Sequence, residues 1–529
     1  MKDQLEYLKS RVTAGKLSRR EFLGKTAALG VTAAAANIML ADAVQAAGPV
    51  KGGMLKLGMN GGASSDTLDP GLVASQAMQS VLRHWGDTLV NVSATGEIEH
   101  RLAESVESSA DAQTWTFKIR QGVEFHNGQT MTPEDAMKTI ERHSNEESKS
   151  GALGIVKGIK NMSVDGDNLV LELHTPNADL PYLMADYHLV VQPGGGMEDS
   201  NAGIGTGPYT IEVNEPGVRH GFKKFANHWD ESIGHADETE LLIINDATAR
   251  TAALQSGQVH MINSVDPKVA ELLDRAPNLS VRNVSGRGHY VFIMHVDTAP
   301  FDNRDLRMAL KYAINRQEMV DKILRGYGSI GNDIPINKAY PLFDDSIPQR
   351  EYDPEKAAAF YKASGHDGSP IILRVADGAF PGAVDAAALF QQSAQAAGIP
   401  LEIKREPNDG YWSEVWNKQP FCASYWGGRP VQDQMYSTAY LSTADWNDTR
   451  FKNPLFDSLL QEAKAELDPV ERKLIYSQMA NILHDEGGLI CPMFNDFVDA
   501  VSNDVGGYEP NPNGELMANF ASSRCWLNA

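Results

Sequence analysis

Apolar residues along this chain fall into short alternating runs separated by stretches of helical period, the order expected of an α/β architecture. From Met54 to Met59, Leu55, Leu57 and Met59 alternate with Met54, Lys56 and Gly58, and the run then breaks into Gly61-Gly62, which predicts a buried strand entering a loop. The loop continues through Ser64, Ser65, Asp66, Thr67, Leu68, Asp69 and Pro70 before a helical stretch carrying Met78, Val81, Leu82 and Trp85. Ligands are often met at such strand-end loops, so Asn60, Gly61 and Ser64 are candidate ligand contacts.

Trp115, Phe117 and Ile119 share one face of a predicted half-exposed strand, and Leu169, Leu171 and Leu173 mark a second. Between them Thr132-Pro133-Glu134-Asp135 reads as a helix start, with Thr132 as cap, Pro133 in the first turn and acidic groups facing the dipole. This section predicts a small sheet-rich subdomain. Gly203-Ile204-Gly205-Thr206-Gly207 superficially resembles a phosphate-cradling loop, but Pro208-Tyr209-Thr210-Ile211 leads into a strand, so it is read as a turn. A short helix follows from Asp246 to Leu254, then a strand from Val259 to Ile262.

Leu306, Ala309, Leu310, Ala313 and Ile314 have helical spacing, Met319, Val320 and Ile323 extend it, and Asp353-Pro354 caps a further helix. Ile371 to Val375 reads as a strand, Ala383 to Ala397 as a helix and Leu401 to Lys404 as a strand, an order that predicts parallel pairing in a second lobe.

The first residues change the picture most. Ser18-Arg19-Arg20-Glu21-Phe22-Leu23-Gly24-Lys25 followed by the weakly apolar run Ala27 to Leu40 reads as a twin-arginine export signal, with a peptidase site near Ala46. The run is short and broken by Thr32 and Asn37, so a membrane-spanning anchor is not expected. The 529 residues carry 47 basic and 69 acidic side chains, a net charge of -22 that argues against nucleic acid as partner. Cys422, Cys491 and Cys525 are too few and too far apart for a disulfide framework; at most one disulfide or three buried thiols are expected. The fourteen histidines form no H-E-x-x-H cluster, and neither a G-x-S-x-G elbow nor a G-x-x-x-x-G-K-[ST] loop occurs. No enzyme activity, metal or cofactor is therefore expected, an exported hydrolase being the weaker alternative.

Several segments occur in the order of one family: Lys51 to Asn60 with Asp66-Thr67-Leu68-Asp69-Pro70, Trp115 to Ala136, Gly205 to Thr210 with His228-Trp229-Asp230, Ala252 to Val259, Asp302 to Arg316, Tyr352 to Ala357, and the Tyr425-Trp426 region. Over nearly the whole mature chain the sequence resembles the extracytoplasmic solute-binding proteins of family 5, the peptide- and nickel-binding type that serve ABC importers. The resemblance implies an α/β, two-lobed periplasmic binding protein fold, type II-like of cluster C, with an extra subdomain in the first lobe and a hinge that closes the lobes over a solute. On that basis residues 1–46 are assigned to the signal, 47–86 to the first segment of lobe I, 87–205 to the extra subdomain, 206–290 to the second segment of lobe I, 291–496 to lobe II and 497–529 to a C-terminal return into lobe I. The implied partners are a peptide or small-molecule ligand and the ABC permease and ATPase subunits. A monomer in the periplasm, with no direct membrane insertion, is expected.

Tyr411, Trp412, Trp416, Tyr425, Trp426 and Tyr436 fall within one span and offer rigid contact surface; Trp416 is read as core packing. Tyr425, Trp426 and the Gly427 that follows are pocket candidates. Peptide-binding relatives carry an aspartate about three residues after this tryptophan, for the ligand's amino group, where this chain has Arg429. Its planar fork suits a carboxylate, and Asp433, four residues on, is the candidate for the missing anion. The departure favours a peptide-like or opine-like solute with an exposed carboxylate over an ordinary peptide.

Overall fold

Two long strands, Leu279–Met294 and Leu489–Ser502, run antiparallel through the molecule and belong to both lobes. Leu279 through Ser285 pair with Ser502 through Asp496; the register then shifts, and His289 through Ile293 pair with Phe494 through Leu489. The shift falls at Gly286-Arg287-Gly288, and a bulge of this kind bends the strand that carries it. Both glycines are required by crowding: a Cβ on Gly286 would come 2.9 Å from the Phe497 ring, and one on Gly288 2.7 Å from Asn495 Oδ1. The structure is a computed structural model and describes residues 2–13, 17, 19–29, 31, 48–73, 75–144, 149–376, 378–407, 411–444 and 446–528.

On one side of this crossing, Met261–Ile262 joins the Leu489–Ser502 strand, and Met54–Met59 lies parallel between it and Glu238–Ile243. Arg219–Lys224 and Tyr209–Glu215 complete that edge as an antiparallel hairpin. On the other side, Phe421–Trp426 pairs with His289–Met294, followed by Ile371–Val375 and Leu401–Arg405 in parallel, as the strand-helix-strand order requires. The apolar cores divide at the same place. Leu279 and Val498 pack with Leu254, Ile262 and Leu273, whereas Val291 and Phe494 pack with Phe390, Tyr436 and Met479. A third core joins Leu55, Leu57, Trp85, Leu241 and Leu516.

The sheet-rich subdomain is a four-stranded antiparallel sheet in the order Ala103–Ser108, Thr114–Ile119, Asn168–Leu173, Ile159–Asp165, covered by helix Pro133–His143. That helix starts with a capping box between Thr132 and Asp135. Trp115, Phe117, Leu169, Leu171 and Ile140 fill its core.

Two of the motif segments meet at one buried carboxylate. Asp87 accepts from Thr206 Oγ1 and Trp229 Nε1 at 3.2 Å each and pairs with Arg101 at 3.1 Å, while Arg101 also binds Asp230 at 2.6 Å. The glycine-rich loop is a turn pressed onto a helix end: a Cβ on Gly205 would lie 2.5 Å from the Trp85 carbonyl oxygen, and one on Gly207 2.5 Å from the Trp85 carbonyl carbon. These residues assemble lobe I rather than cradle phosphate.

Two expectations shift at their edges. The strand expected from Val259 begins at Met261, because the Val259 N–H turns back to the Ala253 carbonyl at the end of helix Ala247–Gln255. The helix expected to reach Ala397 ends at Gln395, before Gly398 at φ 71°. Cys422, Cys491 and Cys525 are all free and buried, which resolves the choice in favour of thiols. Near the N-terminus helices Lys2–Thr13 and Arg19–Ala28 contact each other; Ser18 and residues 32–47, which hold most of the apolar run and the expected peptidase site, lie outside the described residues. Among the described residues no helix is long and apolar enough to cross a membrane.

Candidate ligand-binding site

The C-terminal end of strand Met54–Met59 delivers Asn60 and Gly61 to one wall. The Asn60 N–H donates to Asn263 Oδ1 at 3.1 Å, and Asn263 Nδ2 donates back to Asn60 Oδ1 at 2.7 Å and on to Glu515 Oε2 at 2.8 Å. Ser264 Oγ donates to the same carboxylate at 2.7 Å. Burial raises the Glu515 carboxyl, and raises Asp499 well above its ordinary range with the nearby Glu515 adding to it. The Asn60 side chain is thus held by this network. Gly61 has φ 91°, a backbone that suits glycine, and its exposed peptide donates to Asn245 Oδ1 at 2.8 Å beside the start of helix Gln76–Trp85. Ser64 is exposed against the hairpin turn at Gly217, towards the edge strands, and does not join Asn60 at the Asn263 network.

The opposite wall is the end of strand Phe421–Trp426. Tyr425 and Trp426, as neighbours in a strand, point to opposite faces: Tyr425 is 50% exposed and Trp426 is buried. The Trp426 indole donates to Asp448 Oδ2 at 3.2 Å, and Trp416 donates to the same oxygen at 3.0 Å. Trp446 completes a triangle with centroids 6.0 to 6.4 Å apart, two of the three pairs edge-on and the third tilted. Burial pushes the Asp448 carboxyl up to about 7, against the two indole bonds.

Beyond the strand, Gly427 is exposed with open space on its Cβ side, while Gly428 has φ 79° and is pressed against Arg287. The Arg429 N–H donates to the Tyr340 hydroxyl at 3.0 Å, its Nη1 donates to the Gly428 carbonyl at 2.7 Å, and its guanidinium lies 5.8 Å from the Trp426 ring centroid. Burial lowers its pKa, opposed by Tyr340, Asp186 and Tyr187. Among the described residues no carboxylate comes within the 4.0 Å of an ion pair with it. Asp433 is different. It is buried on helix Gln432–Ala439, accepts from Ser437 Oγ at 2.8 Å and lies 3.5 Å from Lys464 Nζ, so its carboxylate is engaged inside lobe II rather than open to a solute.

Sequence reasoning did not find Tyr340 and Asp448, which lie in irregular segments, or Asp186 and Tyr187 at the start of the short 3-10 helix Tyr187–Leu189, because none of them carries a periodic signal. It also missed the contact between the extra subdomain and lobe II. Asp179 pairs with Arg472 at 3.0 Å and accepts from the Tyr476 hydroxyl at 3.2 Å, and the Ala178 N–H donates to the Lys464 carbonyl at 2.7 Å. Burial, opposed by Arg472 and reinforced by Asp433, pushes the Asp179 carboxyl up to about 6. Among the described residues no group of three or more His, Cys, Asp or Glu could hold a metal ion.

Residues 97–448 match the family described as bacterial extracellular solute-binding proteins, family 5. The chain is 26% identical over 468 residues to the glutathione-binding protein GsiB of Salmonella typhi, covering 84% of this chain and 90% of that one. Its counterpart in Escherichia coli K12 is 24% identical over 473 residues, with the same coverage. The structure is similar to that of AgaA from A. tumefacien R10 in complex with agropinic acid, at a TM-score of 0.73 and 24% identity over 90% of this chain and 99% of that one. It is likewise similar to DppA from Helicobacter pylori in complex with the peptide STSA, at 0.74 and 22% over 91% and 99%. These structural likenesses show the two-lobed binding-protein fold.

Proposed function

This chain belongs to the bacterial extracellular solute-binding proteins of family 5, and we propose that it captures a peptide or peptide-like solute in the periplasm by lobe closure and delivers it to an ABC permease. One observation supports the finer reading most. The Arg429 cation is half-withdrawn from water at the interlobe face, backed by Trp426, and lies beyond ion-pair distance of any described carboxylate. A planar fork so placed suits the carboxylate of a solute, which enters a closed cleft poor in water. Gly61 and Gly427 supply open backbone on the two walls and Tyr425 an exposed ring. Asn60, Ser64, Trp426 and Asp433 then act around the solute rather than as its direct anchors, by the contacts described above.

A second reading, a non-peptide carboxylate such as an opine, is favoured by Arg429 standing where peptide-binding relatives carry an acid. A relative of known structure holds agropinic acid. The pattern Ser18 to Lys25 supports export through the twin-arginine route, and we propose that the protein functions as a monomer. The test is a thermal-shift screen against short peptides, glutathione and agropinic acid, since a solute that binds the native state alone raises the melting temperature. Titration calorimetry on Arg429→Ala should then show about 2 to 5 kcal/mol of lost affinity, with Arg429→Lys recovering part of it. Equal affinities for the three proteins would show that Arg429 anchors nothing.

A further inference from the structure

We infer that Arg287, in the bulge where the two long strands cross, is a second anion anchor beside Arg429, so that the solute of this site carries two carboxylates. The inference rests on the reading of Arg429 given above and extends it from one charge to two.

Arg287 is only 6% exposed. Its Nε donates to the Ala339 carbonyl at 2.9 Å and its guanidinium lies 5.2 Å from the Tyr340 ring centroid, but its Nη2 is buried with no hydrogen-bond partner. An unpartnered nitrogen on a buried cation is costly, and such groups are rare in folded proteins. Elsewhere in this fold the demand is met. Arg101, Arg316, Arg350 and Arg472 each pair with an aspartate at 2.6 to 3.1 Å, and Arg250 and Arg307 donate only to backbone carbonyls. The unpartnered nitrogens of the paired arginines are their Nε atoms, behind guanidinium groups already bound to carboxylate. Arg287 has a free fork end instead, and among the described residues no carboxylate within 4.0 Å of it.

Position makes this nitrogen a binding group. Tyr340 joins the two cations: its ring lies under Arg287 and its hydroxyl accepts from the Arg429 N–H. Burial lowers the pKa of each, opposed at Arg287 by Tyr340 and Tyr182 and at Arg429 by Tyr340, Asp186 and Tyr187. The spacing is set by backbone contact, since a Cβ on Gly428 would come 2.5 Å from Arg287 Cβ. Two cations at a fixed separation on one wall suit two carboxylates of one molecule better than one. Arg287 stands in the bulge where the two long strands pass from one core to the other, against Tyr340 and Gly428.

Titration calorimetry on wild type and Arg287→Gln tests this with two dicarboxylate probes, glutathione and the tripeptide Ala-Ala-Glu, each against a monoamide of itself, and with trialanine as a single-carboxylate control. Wild type should bind at least one dicarboxylate about tenfold or more tightly than its amide. Arg287→Gln should lose roughly 30-fold or more on that dicarboxylate and under about threefold on the amide, the pattern of a removed charge partner. No preference for either dicarboxylate, including no binding of both, overturns the inference; if trialanine still binds and depends on Arg429, the proposed function survives that result. Equal losses on dicarboxylate and amide, accompanied by a lower melting temperature of the unliganded variant, would make Arg287 a hinge pin and would also overturn it.

Discussion

Asp448 shows what a single buried acid does here. It has two indole N–H donors on one oxygen, no partner on the other, and no cation, so burial sets its titration at about 7 instead of the ordinary 3.8. The folded protein thus holds a proton that the unfolded chain has released, and the contribution of this group to stability is full below about pH 4, falls as pH rises through the window from 3.8 to about 7, and levels off above it. Two results are expected. Tryptophan fluorescence should titrate with a midpoint near neutrality in wild type, because Trp416, Trp426 and Trp446 surround the group, and Asp448→Asn should flatten that titration. The same substitution should raise the melting temperature at pH 8 more than at pH 5, since it keeps an acceptor for the indoles without a charge; a fluorescence curve flat in wild type from pH 5 to 9 would be the contrary outcome.

At the scale of elements, the turn after strand Phe421–Trp426 and the strand crossing constrain each other. Gly428 has positive φ and no room for a Cβ, so Gly428→Ala must either strain the turn or push Arg287 away. The expected effect is a destabilisation of about 1 to 3 kcal/mol in urea unfolding, together with weaker solute binding; unchanged values of both would mean that the turn adapts freely. A second element-level joint lies in lobe II, where Asp333, fully buried, binds Arg316 and Arg350 at 2.6 Å each and accepts from the Cys491 N–H at 3.0 Å. It links the start of helix Arg316–Lys322, the loop before helix Pro354–Ala363 and strand Leu489–Ser502. Asp333→Ala leaves two buried arginines without their anion and should cost about 3 to 5 kcal/mol, or prevent folding of lobe II, read by denaturant melts.

For the whole molecule the contact of the extra subdomain with lobe II decides how the lobes meet. Asp179 titrates at about 6 in this contact, and a carboxyl released to water returns towards its ordinary value of about 3.9. Closure therefore takes up a proton in the window between these values, and the closed form gains weight as pH falls from 7 through 6, by roughly 3 kcal/mol at full protonation. The groups facing Asp179 are Arg472, Tyr476, Asp433 and Lys464, and of these only the carboxylate of Asp433 adds to the rise by its charge. Small-angle scattering without solute should give a smaller radius of gyration at pH 5 than at pH 7.5, and Asp179→Asn should remove the difference. Arg472→Ala should open the lobes at pH 7.5, because it strands a buried carboxylate; a radius indifferent to pH and to both variants would place closure elsewhere.

Periodicity and turn chemistry determined most of the local elements. Strand Met54–Met59, strand Ile371–Val375 and the capped helices at Thr132, Asp246 and Asp353 were all legible, because the alternation of the strands and the caps of the helices are written within a few consecutive residues, although the strands themselves are held by partners far along the chain. The family was legible for the same reason, since its motifs are local and collinear, and some of them, such as Gly205 to Tyr209, turn out to assemble the lobe. The two longest strands escaped sequence reading because they pass from one core to another across a bulge, so their alternation is interrupted by Gly286-Arg287-Gly288 and Asn495-Asp496. The candidate site was legible only in part: Arg429 stood out as a departure at a matched position, whereas Tyr340, Asp448, Arg287 and Asp179 acquire their roles from residues far away in the chain. Burial, charge pairing and an unpartnered fork are properties of neighbours in space, and no spacing along the chain encodes them. The sequence alone thus settled which pieces form and what family they build; only the packing of two lobes around one crossing decided which buried charges are paired and which are left without a carboxylate among the described residues.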